Sequence, residues 1–152
     1  EFFPGAIEAM RDLCQSDYAL VNVTNQSGIA RGYYSEADFL TLTQTMRGHL
    51  ETQGVSLAGV YYCPHLADAT VSEYGLECEC RKPLPGMIFK AVSELKLDLT
   101  RSAMVGDKVS DMEAAQAAGI ETCFHVTKGE TAPGCISVAD LVSATARLLK
   151  TT

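Results

Sequence analysis

The chain has 152 residues, 47% hydrophobic and 20% charged, with twelve Lys and Arg against nineteen Asp and Glu for a net charge of −7. That is one domain of ordinary size with ample apolar material to bury, which excludes global disorder. The acidic balance argues against electrostatic nucleic-acid binding, and no apolar run reaches the ~20 residues of a membrane helix. Glu1-Phe2-Phe3-Pro4-Gly5 has neither a basic start nor an apolar stretch, so it does not read as a signal peptide. It reads as the lead-in to a helix, and with no Met at position 1 the chain is expected to be part of a longer one. With no export signal legible, the expected setting is the cytoplasm.

The apolar spacing of Ile7, Ala9, Met10 and Leu13 predicts a helix over 4–13, with Pro4 at its start. The apolar run from Tyr18 to Val23, ending at Thr24-Asn25, predicts a buried strand, and Gln26–Gly32 a loop. Ser35 with Asp38 three residues on is an acidic capping box, and Phe39, Leu42, Met46 and Leu50 continue at helical spacing. Leu57–Tyr62 is a second strand. A helix over 85–95 turns Met87, Ile88, Ala91, Val92 and Leu95 inward. Ser102–Gly106 is a third strand, Val109–Ala118 a helix stopped by Gly119, and Glu121–Val126 a fourth strand. After a loop over 128–134, Ile136–Val138 is a short strand and 139–150 a closing helix. The alternation predicts one α/β domain over 1–152 with a mainly parallel sheet. In such sheets sites form beyond the carboxyl ends of the strands.

The segment 63–82 has no periodicity, and an irregular stretch of that length needs a staple or a function. It holds Cys63-Pro-His65, then twelve residues, then Cys78-Glu-Cys80. Thiolates and imidazole are the ligands Zn²⁺ prefers, and a closed set of three Cys and one His makes a structural site. The plainer reading is a reduced loop with incidental cysteines; four ligand types inside 18 positions favour zinc. Cys14, Cys123 and Cys135 read as small buried apolar residues. The zinc loop ends at Arg81-Lys82, whose cations suit a phosphate if they are held in place, and are otherwise a solvated basic pair.

Thr24, Asn25, Gln26 and Ser27 put hydroxyl, amide and backbone donors just past a strand, where they either receive a phosphate or cap the turn. Asp107 ends a strand, and Asp111 lies four residues on in the first turn of a helix. Two carboxylates on one face suit Mg²⁺, or they cap the helix and favour its dipole; the residues alone leave both open.

Together these residues resemble the haloacid dehalogenase-like phosphatase superfamily over nearly the whole chain. Thr24 matches its second motif, Lys82 its third, and Gly106-Asp107 with Asp111 its fourth. The segments 24–32, 62–65, 78–83 and 105–108 are similar to the zinc-loop branch that holds the heptose bisphosphate and histidinol-phosphate phosphatases. The twelve-residue spacer favours the heptose side. The resemblance implies a three-layer Rossmann-like fold, without a cap or with only the zinc-stapled insertion. It also implies Mg²⁺-dependent phosphoryl transfer through an aspartyl-phosphate. Asp107 would ligate Mg²⁺, and Asp111 would support it by orienting waters or Lys108. Thr24, Asn25, Gln26, Ser27, Arg81, Lys82 and Lys108 would bind phosphate and substrate. The partner would be a sugar bisphosphate, with no nucleic acid or membrane, and the protein a monomer.

The superfamily's first motif, an Asp-x-Asp pair carrying nucleophile and general acid, has no counterpart in the sequence. Asp12 falls in a helix and Asp17 in a turn. The strand that bears this motif would lie between those ending at Thr24 and Asp107. Residues 1–152 alone are therefore expected to be inactive and poorly folded. If they are the whole protein, the alternative is a non-catalytic, zinc-stapled phosphosugar-binding module.

Overall fold

Helices and strands alternate along residues 2–150, which the computed structural model describes: α1 (Ala6–Gln15), β1 (Leu20–Asn25), α2 (Ser27–Ala30), α3 (Glu36–Thr52), β2 (Leu57–Cys63), α4 (Gly86–Leu95), β3 (Ala103–Gly106), α5 (Val109–Ala118), β4 (Thr122–Val126), β5 (Ile136–Val138) and α6 (Leu141–Lys150). All pairings are parallel. β1 pairs with β2, and separately β3 pairs with β4 and β4 with β5. The expected parallel α/β architecture is present, but among the described residues it forms two sheets. β1 and β3 each keep one unpaired edge.

Side-chain alternation sorts the core into layers. On one face, Leu20, Ala103, Val105, Phe124 and Val126 meet Leu13 of α1 and Ala144 and Leu148 of α6. On the other, Val23, Met104 and Cys123 meet α4 and α5 through Ile88, Met112, Ala115 and Ala118. Tyr61, Cys63, Met87 and Ala91 join β2 to α4. The period of two along the strands gives this division, with helices covering both faces. No helix among the described residues is long and apolar enough to cross a membrane.

Four local expectations need correction. Ser27–Ala30 is a short helix rather than loop, closed by Arg31 N–H donating to the Ser27 carbonyl at 3.0 Å. β1 is only partly covered, with Asn22 exposed, because a strand with one free edge has half its surroundings missing. Leu42 is 68% exposed; only Phe39 and Leu50 of the α3 stripe are buried. Cys123 is buried as expected, but Cys14 and Cys135 are half-buried. The Ser35–Asp38 capping box is formed: Asp38 N–H donates to Ser35 Oγ at 3.0 Å, and Ser35 N–H to Asp38 Oδ2 at 3.1 Å.

Candidate active site and metal centre

Strand register brings the chemically capable residues to one level. Asn25 stands opposite Cys63 in the β1–β2 ladder, and the Gln26 N–H donates to the Cys63 carbonyl at 2.8 Å. The turn after β1 and the Cys-His loop therefore leave the sheet side by side.

The loop folds its four ligand types together. One ligand atom each from Cys63, His65, Cys78 and Cys80 lies within 4.8 Å of all the others. Cys63 Sγ is 3.5 Å from Cys78 Sγ and 3.6 Å from His65 Nδ1, and His65 Nδ1 is 3.3 Å from Cys80 Sγ. Ligands at ~2.3 Å from a tetrahedral zinc stand about 3.7 Å apart, so the spacing fits that ion. Cys63 and Cys80 sulfurs, at 2.7 Å, sit closer than that and would spread around it. Burial pushes the Cys63 and Cys80 thiols up, disfavouring bare thiolates. A dication among them reverses that preference. The backbone just beyond Cys80 turns back tightly on the loop. Gly86 N–H donates to the Glu79 carbonyl at 2.9 Å, and a Cβ at Gly86 would stand 2.2 Å from that oxygen, so only glycine fits.

A second brace lies on the other side of the loop. The Glu36 carboxylate, in the first turn of α3, accepts from the Tyr62 hydroxyl through Oε1 and from the Tyr74 hydroxyl at 2.9 Å through Oε2. Burial, then the Glu36 hydrogen bond, pushes the Tyr62 phenol up to about 12, so it remains a donor. Val71 N–H donates to the Ala30 carbonyl at 2.9 Å, tying the same stretch to α2. Sequence reading missed Glu36, because its partners lie 26 and 38 positions away.

Lys82 is neither solvated nor free. Its Nζ donates to the Val23 carbonyl at 2.9 Å and to Asp111 Oδ1 at 2.5 Å, spanning from β1 to α5. The two side chains are 11% and 9% exposed. Asn25 clamps the backbone beneath: its Oδ1 accepts from Lys82 N–H at 3.0 Å, and its Nδ2 donates to the Lys82 carbonyl at 3.3 Å. Asp111 Oδ2 also accepts from Lys108 N–H at 3.1 Å. Thus Asp111 orients the Lys108 backbone and pairs with Lys82.

Thr24, Asn25, Lys82, Asp107, Lys108, Ser110 and Asp111 line a cleft of about 150 Å³ at the strand ends. The structure places Gln26, Ser27 and Arg81 outside that lining. Gln26 Nε2 donates to Thr24 Oγ1 at 2.9 Å, and its Oε1 accepts from the Tyr34 hydroxyl at 2.5 Å; Gln26 supports Thr24 from behind. Ser27 begins α2. Arg81 lines an adjoining cleft of about 350 Å³ with His65, Leu76, Cys78 and Leu84, and Lys82 lines both. Arg81 Nη1 is buried with no hydrogen-bond partner, an orphan donor suited to an anionic ligand. Ser110 was missed from sequence, where nothing marks it apart from any serine near a helix start.

Comparison with known proteins places this geometry. The family model described as "HAD-hyrolase-like" matches residues 79–146. The D-glycero-beta-D-manno-heptose-1,7-bisphosphate 7-phosphatase of Yersinia pestis is 52% identical over 130 residues, covering 86% of this chain and 69% of its own. The chain belongs to the D-glycero-beta-D-manno-heptose-1,7-bisphosphate 7-phosphatase family. The family member from Escherichia coli K12 is 48% identical over 143 residues, covering 93% of this chain and 75% of its own. The crystal structure of a D,D-heptose 1,7-bisphosphate phosphatase from B. bronchiseptica, complexed with magnesium and phosphate, superposes with a TM-score of 0.84 at 31% identity. That match covers 99% of this chain and 84% of the other. Membership in this phosphatase family makes the protein a hydrolase with the haloacid dehalogenase-like fold.

Proposed function

We propose that the protein removes the C7 phosphate of D-glycero-D-manno-heptose 1,7-bisphosphate in a Mg²⁺-dependent reaction. The observation that supports the reading is a pair of clefts that share Lys82 in their lining, one also lined by Lys108 and the other by Arg81. A bisphosphate needs two such places. The reacting phosphoryl group fits the smaller cleft, where Thr24 and Lys108 offer a hydroxyl and a cation. Arg81 offers its orphan Nη1 to anionic groups of the substrate in the larger one. Asp107 is an exposed carboxylate at a strand end, free to ligate Mg²⁺, which supplies charge neutralisation of the phosphoryl oxygens when bound. Zn²⁺ held by Cys63, His65, Cys78 and Cys80 would be structural, fixing Arg81 and Lys82 where the substrate meets them. No step requires nucleic acid or membrane, and six unpaired cysteines suit a reducing compartment such as the cytoplasm.

Residues 1–152 contain no Asp-x-Asp pair. We infer that the attacking carboxylate and the proton donor come from outside them, on a strand docked between the free edges of β1 and β3. Residues 1–152 alone should not turn substrate over, since even a bound phosphate ester does not react without an attacking group.

Histidinol phosphate is the competing substrate. In the complete enzyme with Mg²⁺, phosphate release from the heptose bisphosphate should be at least about a hundredfold faster, by kcat/KM, than from histidinol phosphate. Equal or reversed rates would assign the protein to the other reaction.

A further inference from the structure

We propose that His125 is a positioning residue that fixes the Asp107–Lys108 peptide and thereby aims the Asp107 carboxylate; this rests on the reading of Asp107 as a Mg²⁺ ligand. His125 is 3% exposed, next to last in β4 and opposite Gly106 of β3. Its Nε2 lies 3.3 Å from the Asp107 carbonyl, and its Nδ1 lies 3.1 Å from the Ala132 N–H. A carbonyl only accepts and an amide N–H only donates, so both contacts select one neutral form of the ring, with the proton on Nε2.

The same peptide unit is held from its other side. Its N–H, that of Lys108, donates to Asp111 Oδ2 at 3.1 Å. One peptide plane is thus pinned through its oxygen by His125 and through its nitrogen by Asp111. Asp107 itself is exposed and follows the last residue of β3, so packing does little to hold it. The orientation of its carboxylate depends on the backbone from which it springs. The Ala132 bond extends this control to the loop after β4, which becomes part of the support for the metal-binding turn. Groups that orient a metal ligand typically change affinity 10–100-fold when removed.

A buried histidine that merely satisfies two backbone groups is the competing explanation; the ring tautomer tests the contacts both share, and Mg²⁺ affinity separates the two. In nitrogen-15 NMR of the enzyme, the His125 ring should show a protonated Nε2 and a bare Nδ1. The opposite tautomer, or an averaged ring, overturns the proposal. In the complete enzyme, His125→Leu should weaken Mg²⁺ binding by calorimetry about tenfold and raise the Mg²⁺ needed for half-maximal activity equally. His125→Gln keeps one donor and one acceptor and should restore most of the loss. If Leu binds Mg²⁺ as tightly as His, or Gln rescues no better than Leu, the role is refuted. Should His125→Leu fail to fold, the Mg²⁺ affinity of His125→Gln and of a His125→Asn variant decides: both equal to the parent refutes the role. Asp107→Asn is run alongside. If it leaves Mg²⁺ affinity unchanged, the ligand reading fails and the proposal falls with it, whereas loss there with intact binding in His125→Leu rejects His125 alone.

Discussion

Asp107→Asn should lower kcat/KM of the complete enzyme about thousandfold, close to ~4 kcal/mol of transition-state stabilisation, while leaving thermal stability unchanged. On the proposed reading the substitution removes an anionic ligand of the ion that neutralises the phosphoryl oxygens, at an exposed position where no packing is lost. Asp111→Asn should cost stability first and lower activity less than Asp107→Asn does. Asp111 is 6% exposed and pairs with Lys82, so neutralising it leaves a nearly buried ammonium without its counter-charge. Breaking such a pair costs about 3 kcal/mol of stability. Thermal melts and steady-state kinetics of both variants check the contrast, and near-full turnover by Asp107→Asn would reject the assignment of the cleft.

Removing the zinc proposed for the Cys-His cluster should have the second large effect. A structural zinc contributes about 10 kcal/mol or more to the fold it organises. With a strong chelator, or in Cys80→Ser, residues 75–82 should lose protection from hydrogen exchange and activity should disappear with them. The first half of the loop should hold better, because Glu36 braces Tyr62 and Tyr74, and Ala30 braces Val71, without any ion. Mass spectrometry under native conditions should find one zinc per chain. A metal-free enzyme whose exchange pattern ignores the chelator would show that the four side chains are not a metal site.

The gathering of the Cys-His cluster and the turn at Asp107 were legible because their information is local. Cys63 and His65, and Cys78 and Cys80, are each two apart, and Asp107 marks a strand end by itself. Strand and helix order followed from periodicity for the same reason. What the sequence did not disclose depends on contacts distant along the chain. Lys82 read as a possible solvated cation because Asp111, 29 positions away, gives no local sign of pairing with it. Glu36 looked like an ordinary acidic residue in a first helical turn, and its clamp on two tyrosines arises only when β2 and the loop close over α3. His125 sat in an apolar strand with nothing beside it to mark a role. The half-exposed faces of β1 and β3 are likewise a matter of tertiary cover, which the apolar runs of their sequences cannot report. Ser27–Ala30 is too short to show a helical period.

Phosphorus-31 NMR of the complete enzyme acting on D-glycero-D-manno-heptose 1,7-bisphosphate with Mg²⁺ tests the central claim directly, because it reads which ester is cut. The C7 monoester resonance should decay into inorganic phosphate while the anomeric C1 phosphate persists. Decay of the C1 resonance first, or release that proceeds equally well without Mg²⁺, would contradict the account.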